Sequence, residues 1–214
     1  MKNRLRKCIA GVCIVFGIAV MAVPFYYHFH GANETDKLME QFEKTLEDTE
    51  HETGEPETKE SGKKQTGISK KDKAILSGEN VIGIIEIKAL DIKYPVLEGA
   101  GTEQMRYAIG HMEETAGIGE MGNCVLCGHN GSRNGIFFTH LNQIEAGDEV
   151  KLTDKKGELH RYAVSDTFIV GPYDNYVKKQ TGEEILTLIT CAERGTKRFI
   201  CKCVPIEKAG EGDE

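Results

Sequence analysis

The sequence predicts an all-β domain, a barrel or sandwich of about 130 residues, carried behind an N-terminal apolar segment. Three observations point there. Short apolar or alternating runs recur from Val81 to Ile206, separated by Gly, Pro and charged turns. No part of that region keeps the period of a long amphipathic helix. And from Cys8 to Tyr27 there is no charged residue at all.

That first apolar run divides the chain. Twenty residues at 1.5 Å per residue give about 30 Å, the thickness of a bilayer's hydrocarbon core. Lys2, Arg4, Arg6 and Lys7 precede the run, and an acid-rich stretch follows it. The positive-inside rule then keeps residues 1–7 in the cytoplasm as a basic tail. Residues 8–28 span the cell membrane once, and the rest is exported. A cleaved signal peptide ending near Val20-Met21-Ala22 is the rival reading. It accounts less well for the apolar residues that continue through Val23, Phe25 and Tyr27.

Residues 29–74 read as an extracytoplasmic stalk. Asn33 is placed to cap a short helix in which Leu38, Phe42 and Leu46 recur every fourth residue. One narrow stripe of this kind suits a helix leaning on something, not a core of its own. Beyond His51 the composition of Glu, Thr, Lys, Gly and Ser reads as spacer.

The folded domain occupies residues 75–208, with a short tail at 209–214. Val81–Ile87 is strand-like, and Ile92 to Val96 alternates before breaking near Pro95. A helical turn is expected from Glu103 to Ile109, followed by the Gly110-His111 element. Asn123 to Cys127 is a further strand closed by Gly128. Phe137, Phe138 and Leu141 suggest a brief helix packed on the core. Glu149 to Leu152 alternates, as does Glu158 to Val170 through Leu159, Tyr162, Val164, Phe168 and Val170, and Gly171 to Gly182 is a polar loop. The last two strands run from Ile185 to Cys191 and from Lys197 to Ile206.

Charge and cysteine usage narrow the function. The formal charge is −7, and no basic stripe interleaved with aromatic residues appears, so nucleic acid is not an expected partner. The seven cysteines are Cys8, Cys13, Cys124, Cys127, Cys191, Cys201 and Cys203. Cys191 stands out because it ends an apolar run, Thr187-Leu188-Ile189-Thr190-Cys191, just before a charged turn. Arg198 opens the following run, so a thiol at one strand's end would face a cation at the start of the next. Arg194 competes for this role but sits within the turn itself. Cys124, Cys201 and Cys203 lie inside apolar strands and read as packing residues.

A cysteine nucleophile also needs a proton donor for the leaving group. Of His111, His129, His140 and His160, His129 is best placed. It follows a strand and is held between Gly128 and Asn130. His140 and His160 read as surface histidines, and His111 is a lesser candidate to line the site.

These motifs together resemble the sortases, cysteine transpeptidases of Gram-positive cell surfaces. The TLxTC run, the short loop, Arg198-Phe199-Ile200 and the upstream Gly128-His129-Asn130 all match. So do Ile82 to Ile87, Tyr94-Pro95-Val96-Leu97-Glu98-Gly99, Gly110-His111, Gly122-Asn123, and Leu141 with Gly147-Asp148. The likeness covers roughly Val81 to Ile206. Among subclasses it is most similar to class D, since the stretch from Val170 to Leu186 leaves no room for a long helical insertion. It departs from the family where thiols replace aliphatic residues at Cys124 and Cys127, and in its compact loop from Ala192 to Lys197.

The resemblance implies a closed eight-stranded β-barrel with short helices and loops. It implies that Cys191, His129 and Arg198 are catalytic, with Thr190 and Asn130 contacting substrate, and that neither metal nor cofactor is needed. The substrates implied are proteins bearing an LPxTG-like sorting signal, cut after Thr. The acceptor would be an amine of a peptidoglycan precursor or of another surface protein. With ordinary pKa values near 8.5 for a thiol and 6.5 for an imidazole, the thiolate–imidazolium pair would be a minority species, on the order of one percent.

Two readings compete. Cys124-Val125-Leu126-Cys127 has the C-x-x-C spacing of zinc ligands and dithiol oxidoreductases, with Cys201 and Cys203 available to complete a four-thiolate site. Against this, the pair lies on a strand that should alternate its faces, and no helix follows it. The other rival is a catalytically dead adhesin, disfavoured because cysteine, histidine and arginine are all retained. Asp174, Glu183 and Glu184 are acids near the Val170–Leu186 loop and are left without a role.

Overall fold

The computed structural model of the protein describes residues 17–18, 35–46, 80–131 and 136–206. The proposed membrane span, apart from helical Gly17 and Ile18, lies outside the described residues. So do the two tails and most of the stalk. Among the described residues no helix is long and apolar enough to cross a membrane.

Eight strands close into a barrel: β1 (Val81–Ile87), β2 (Ile92–Glu98), β3 (Ile109–His111), β4 (Gly122–Cys127), β5 (Glu149–Asp154), β6 (Leu159–Val170), β7 (Glu184–Ala192) and β8 (Lys197–Pro205). Their order around the wall is β1-β2-β3-β4-β7-β8-β6-β5, with β5 returning to β1. Two neighbouring pairs, β2–β3 and β4–β7, are parallel and the others antiparallel. The parallel β4–β7 pair requires a long crossover, and the chain supplies it as β5 and β6.

The interior is filled by one face of each long strand, including Ile85, Ile87, Val96, Leu126, Val150, Leu152, Tyr162, Leu186 and Leu188. β5 and β6 carry the alternation expected when the other face meets water, as in the buried Val150, Leu152, Tyr162 and Val164. β1 does not alternate, and the reason lies outside the barrel. Residues 35–46 form a helix, α1, whose Leu38 and Phe42 are buried against Val81, Ile84, Leu97 and Ala108. Both faces of β1 are therefore covered, and both are apolar. The every-fourth stripe of Leu38, Phe42 and Leu46 leans on the barrel wall. Thr35 Oγ1 donates to the Tyr107 carbonyl at 2.8 Å, and Lys93 Nζ pairs with Glu43 at 3.0 Å.

β4 and β7 are likewise apolar on both faces. Their outer face is covered by the β6–β7 connection, whose Val177 is buried with Val125, Ile189 and Ile200. Asn123 holds that loop in place, its Nδ2 donating to the Val177 carbonyl at 2.9 Å, while its Oδ1 accepts from Thr187 Oγ1 at 2.7 Å. The expected helical elements appear as single 3₁₀ turns at Gln104–Arg106 and Leu141–Gln143.

Candidate active site

The site is built at one end of the β4–β7–β8 wall. Ile189 faces outward with Val125 and Ile200. Cys191 lies two residues further along β7 and continues that outer face, partly exposed. Its register partner on β8 is Arg198. Directly opposed residues of an antiparallel pair share a face, with Cβ atoms about 4.5–5.5 Å apart. Cys191 and Arg198 thus leave the backbone side by side on the outer wall.

His129 is brought alongside by the loop that leaves β4. Gly128 N donates to the Ile189 carbonyl at 3.1 Å, and the Gly128 carbonyl accepts from Thr190 Oγ1 at 2.9 Å. On the other side of the histidine, Asn130 Nδ2 donates to the Cys191 carbonyl at 2.8 Å. From behind, Phe138 N donates to the His129 carbonyl at 3.1 Å. The three residues Gly128–Asn130 are therefore laced to Ile189, Thr190 and Cys191, with the exposed His129 in the middle. Glycine is required at 128 because a Cβ there would stand 2.6 Å from Phe138 Cδ2 and 2.7 Å from Ile109 Cδ1.

Arg198 is held by the turn that joins β7 to β8. Glu193 and Arg194 take left-handed backbone angles, φ 47° and 58°, which non-glycine residues adopt only at a cost. The tight turn presents the carbonyls of Gly195 and Lys197 to Arg198 Nη1, each at 2.9 Å. Arg194 lies exposed in that turn, where the sequence puts it, while Arg198 lies in the ladder opposite Cys191.

Cys127 extends the same face, packed on the outer apolar cluster. Burial pushes its thiol up to about 11, with Lys178 and Arg198 pulling it down less strongly and Cys191 adding to the rise. Cys124 belongs to the interior, where burial pushes its thiol up to about 12. The two ends of the C-x-x-C sequence thus join different clusters on opposite faces of β4, and a single metal or disulfide centre cannot use both. Cys201 and Cys203 are interior as well, their sulfurs 3.6 Å apart, and the hydrogen bond to Cys201 followed by burial raises the Cys203 thiol far up.

Several sequence expectations are corrected by this geometry. Thr190 is 2% exposed and its hydroxyl is committed to Gly128, so it fastens the histidine loop and does not reach a peptide. Asn130 is exposed and donates its amide to the Cys191 backbone. His111 does not line the site. It is buried on β3, with Nδ1 2.8 Å from Glu98 Oε1 and Nε2 2.9 Å from the Ala116 carbonyl, tying β2 to the β3–β4 connection. His160 is no surface histidine: it lies 3.6 Å from Asp154 Oδ2, with its ring against Gly119. On β6 it lies two residues from Tyr162 and opposite Leu152, so it shares their inward face, and the β3–β4 connection at Gly119 closes over it.

A family model described as the sortase domain matches residues 85–206. The chain is 27% identical to Sortase A of Bacillus anthracis over 202 residues, 93% of each protein. It is 30% identical to Sortase A of Staphylococcus aureus over 200 residues, covering 91% of this chain and 90% of that one. Sortase D of Bacillus subtilis is 29% identical over 152 residues, 70% of this chain and 74% of its own. Among solved structures, a Sortase D5 transpeptidase of Clostridium perfringens superposes with a TM-score of 0.57 at 28% identity. That match covers 78% of this chain and 99% of the other.

Proposed function

Since the chain belongs to the sortase family and is a cysteine transpeptidase, we propose that Cys191 is its nucleophile, His129 its proton donor and Arg198 its oxyanion or backbone clamp. In this reading Cys191 Sγ attacks the carbonyl after Thr in an LPxTG-like sorting signal. Negative charge gathers on the carbonyl oxygen, where a guanidinium fork is the strongest donor available. The C–N bond breaks as His129 gives its proton to the departing amine, leaving a thioester on Cys191. An acceptor amine from a peptidoglycan precursor or another surface protein then attacks, and the thiolate leaves. The class D resemblance fits relatives that include Sortase D proteins.

The observation that carries the reading is the lacing of Gly128–Asn130 to Ile189–Cys191, with Arg198 in register beside it. A cysteine and an arginine on the two sides of one turn stand with a histidine loop from far upstream at one end of one wall. The membrane anchor belongs to the same proposal. It supports a tethered enzyme whose tethered substrates share its surface, which raises effective concentration.

Replacement of two cysteines tests it. Cys191→Ala is expected to abolish transfer of a labelled LPxTG-type peptide, while Cys201→Ala retains it within a few-fold. Transfer that survives the first change and vanishes with the second removes Cys191 from the mechanism.

A further inference from the structure

We propose that the enzyme stands with the catalytic end of its barrel toward the bilayer, held there by α1 as a strut; this rests on the membrane anchor of the preceding section. Thr35, in the first turn of α1, donates to the Tyr107 carbonyl. Tyr107 lies two residues before Ile109, whose side chain abuts Gly128 at the foot of the histidine loop. The helix therefore starts at the catalytic end. At its other end Leu46 lies over Gly157, where a Cβ would be 3.7 Å from Leu46 Cδ2. Gly157 belongs to the turn between β5 and β6, and that turn is at the far end of the barrel. β6 shows this directly, because it starts beside the turn at Leu159 and finishes at Val170, opposite Arg198.

Lengths then fix the orientation. Seven steps separate His28, the last residue of the proposed span, from Thr35. They reach at most about 25 Å when fully extended. The twelve-residue β6 is about 40 Å long, or about 30 Å along the axis at the usual barrel tilt. A tether entering at the catalytic end is too short to run back along the wall and set the far end on the membrane. The docked helix also means that the spacer after residue 46 does not lift the barrel. In this arrangement the chain after residue 46 carries no load between membrane and site. Such an enzyme would take a sorting signal, and an acceptor, presented close to the lipid headgroups.

The absence of tryptophan makes this measurable. Tyr173→Trp, three residues past Val170, marks the catalytic end, and Lys156→Trp marks the far turn; both residues are exposed. Full-length chain in phosphatidylglycerol–phosphatidylcholine vesicles carrying a dansyl-headgroup lipid would report energy transfer from each tryptophan. The transfer is expected to be several-fold more efficient from position 173. Ten Gly/Ser residues inserted between Gly31 and Ala32 should shrink that difference, whereas the same insertion between Gly62 and Lys63 should leave it unchanged. Equal or reversed transfer in the parent chain overturns the orientation. Equal sensitivity to the two insertions overturns the strut. A chain that does not float with the vesicles overturns the anchor and the orientation together. No peptide is present in the assay, so a failure of the catalytic assignment would show only in the transfer reaction.

Discussion

Cys191 and Cys201 sit on adjacent strands only three ladder steps apart, yet they occupy two different solvents. Cys201 pairs with Leu188 and faces the packed interior, wholly buried beside Cys203. Cys191 pairs with Arg198 and faces the outer wall, next to the histidine loop. The side-chain period of two along a strand decides between them. One face stores thiols as small apolar packing groups. The other ends in a partly exposed thiol beside a fixed cation. Reactivity here is a matter of which face, and how near the strand's end, and not of cysteine as a residue type.

The comparison breaks most easily at the groups that only the outer face has. His129→Ala and Arg198→Ala are each expected to lower turnover by about 10²–10⁴-fold. Both side chains lie outside the interior cluster, so the thermal midpoint should stay within a few degrees of the parent. Steady-state transfer and a melting curve on the same preparations check this, and full activity in either variant removes that residue from the site.

A smaller effect is expected from the laces. Asn130→Ala deletes the amide bonded to the Cys191 carbonyl. One such hydrogen bond is worth about 1 kcal/mol, so a loss of about five- to tenfold in kcat is expected with KM little changed. Thr190→Val leaves the Gly128 carbonyl without its buried donor. Denaturant unfolding should register about 1–3 kcal/mol of lost stability.

Much of this was legible in the sequence, and the parts that were not share a cause. Alternation located β5 and β6, because a half-buried strand writes its face into alternate residues, while β1 and β7 stood out as continuous apolar runs. The cysteine at the end of Thr187–Cys191 and the arginine opening the next run were visible as a pair, since adjacent antiparallel strands bring such ends together. The hydrogen bonds of Thr190, Asn130 and His111 were not legible, because their partners, Gly128 O, Cys191 O and Glu98, are contacts between distant segments. A threonine latched to a carbonyl and a threonine awaiting a peptide read alike. The docking of α1 was half legible: its stripe announced a surface to lean on, while the complementary surface was hidden in the uniform apolarity of Val81–Ile87.

The interior thiols sharpen the contrast at high pH, with the smallest effect. Cys124 is raised by burial from its ordinary value near 9 to about 12, so the folded state holds its proton where the unfolded chain has lost it. Its contribution to stability is full below pH 9 and falls as pH rises toward 12, at up to about 1.4 kcal/mol per pH unit. Urea unfolding at pH 8 and pH 10 should show a smaller alkaline loss in Cys124→Ala than in the parent.

The central claim is that one thiol of this chain, and only that one, takes the acyl group. Incubation of the protein with an LPxTG-type peptide, an acid quench and peptide mapping by mass spectrometry would locate it. The expected result is a thioester on the fragment holding Cys191, with Cys124, Cys127, Cys201 and Cys203 unmodified. An acyl group found on Cys127 or on an interior cysteine would contradict the account.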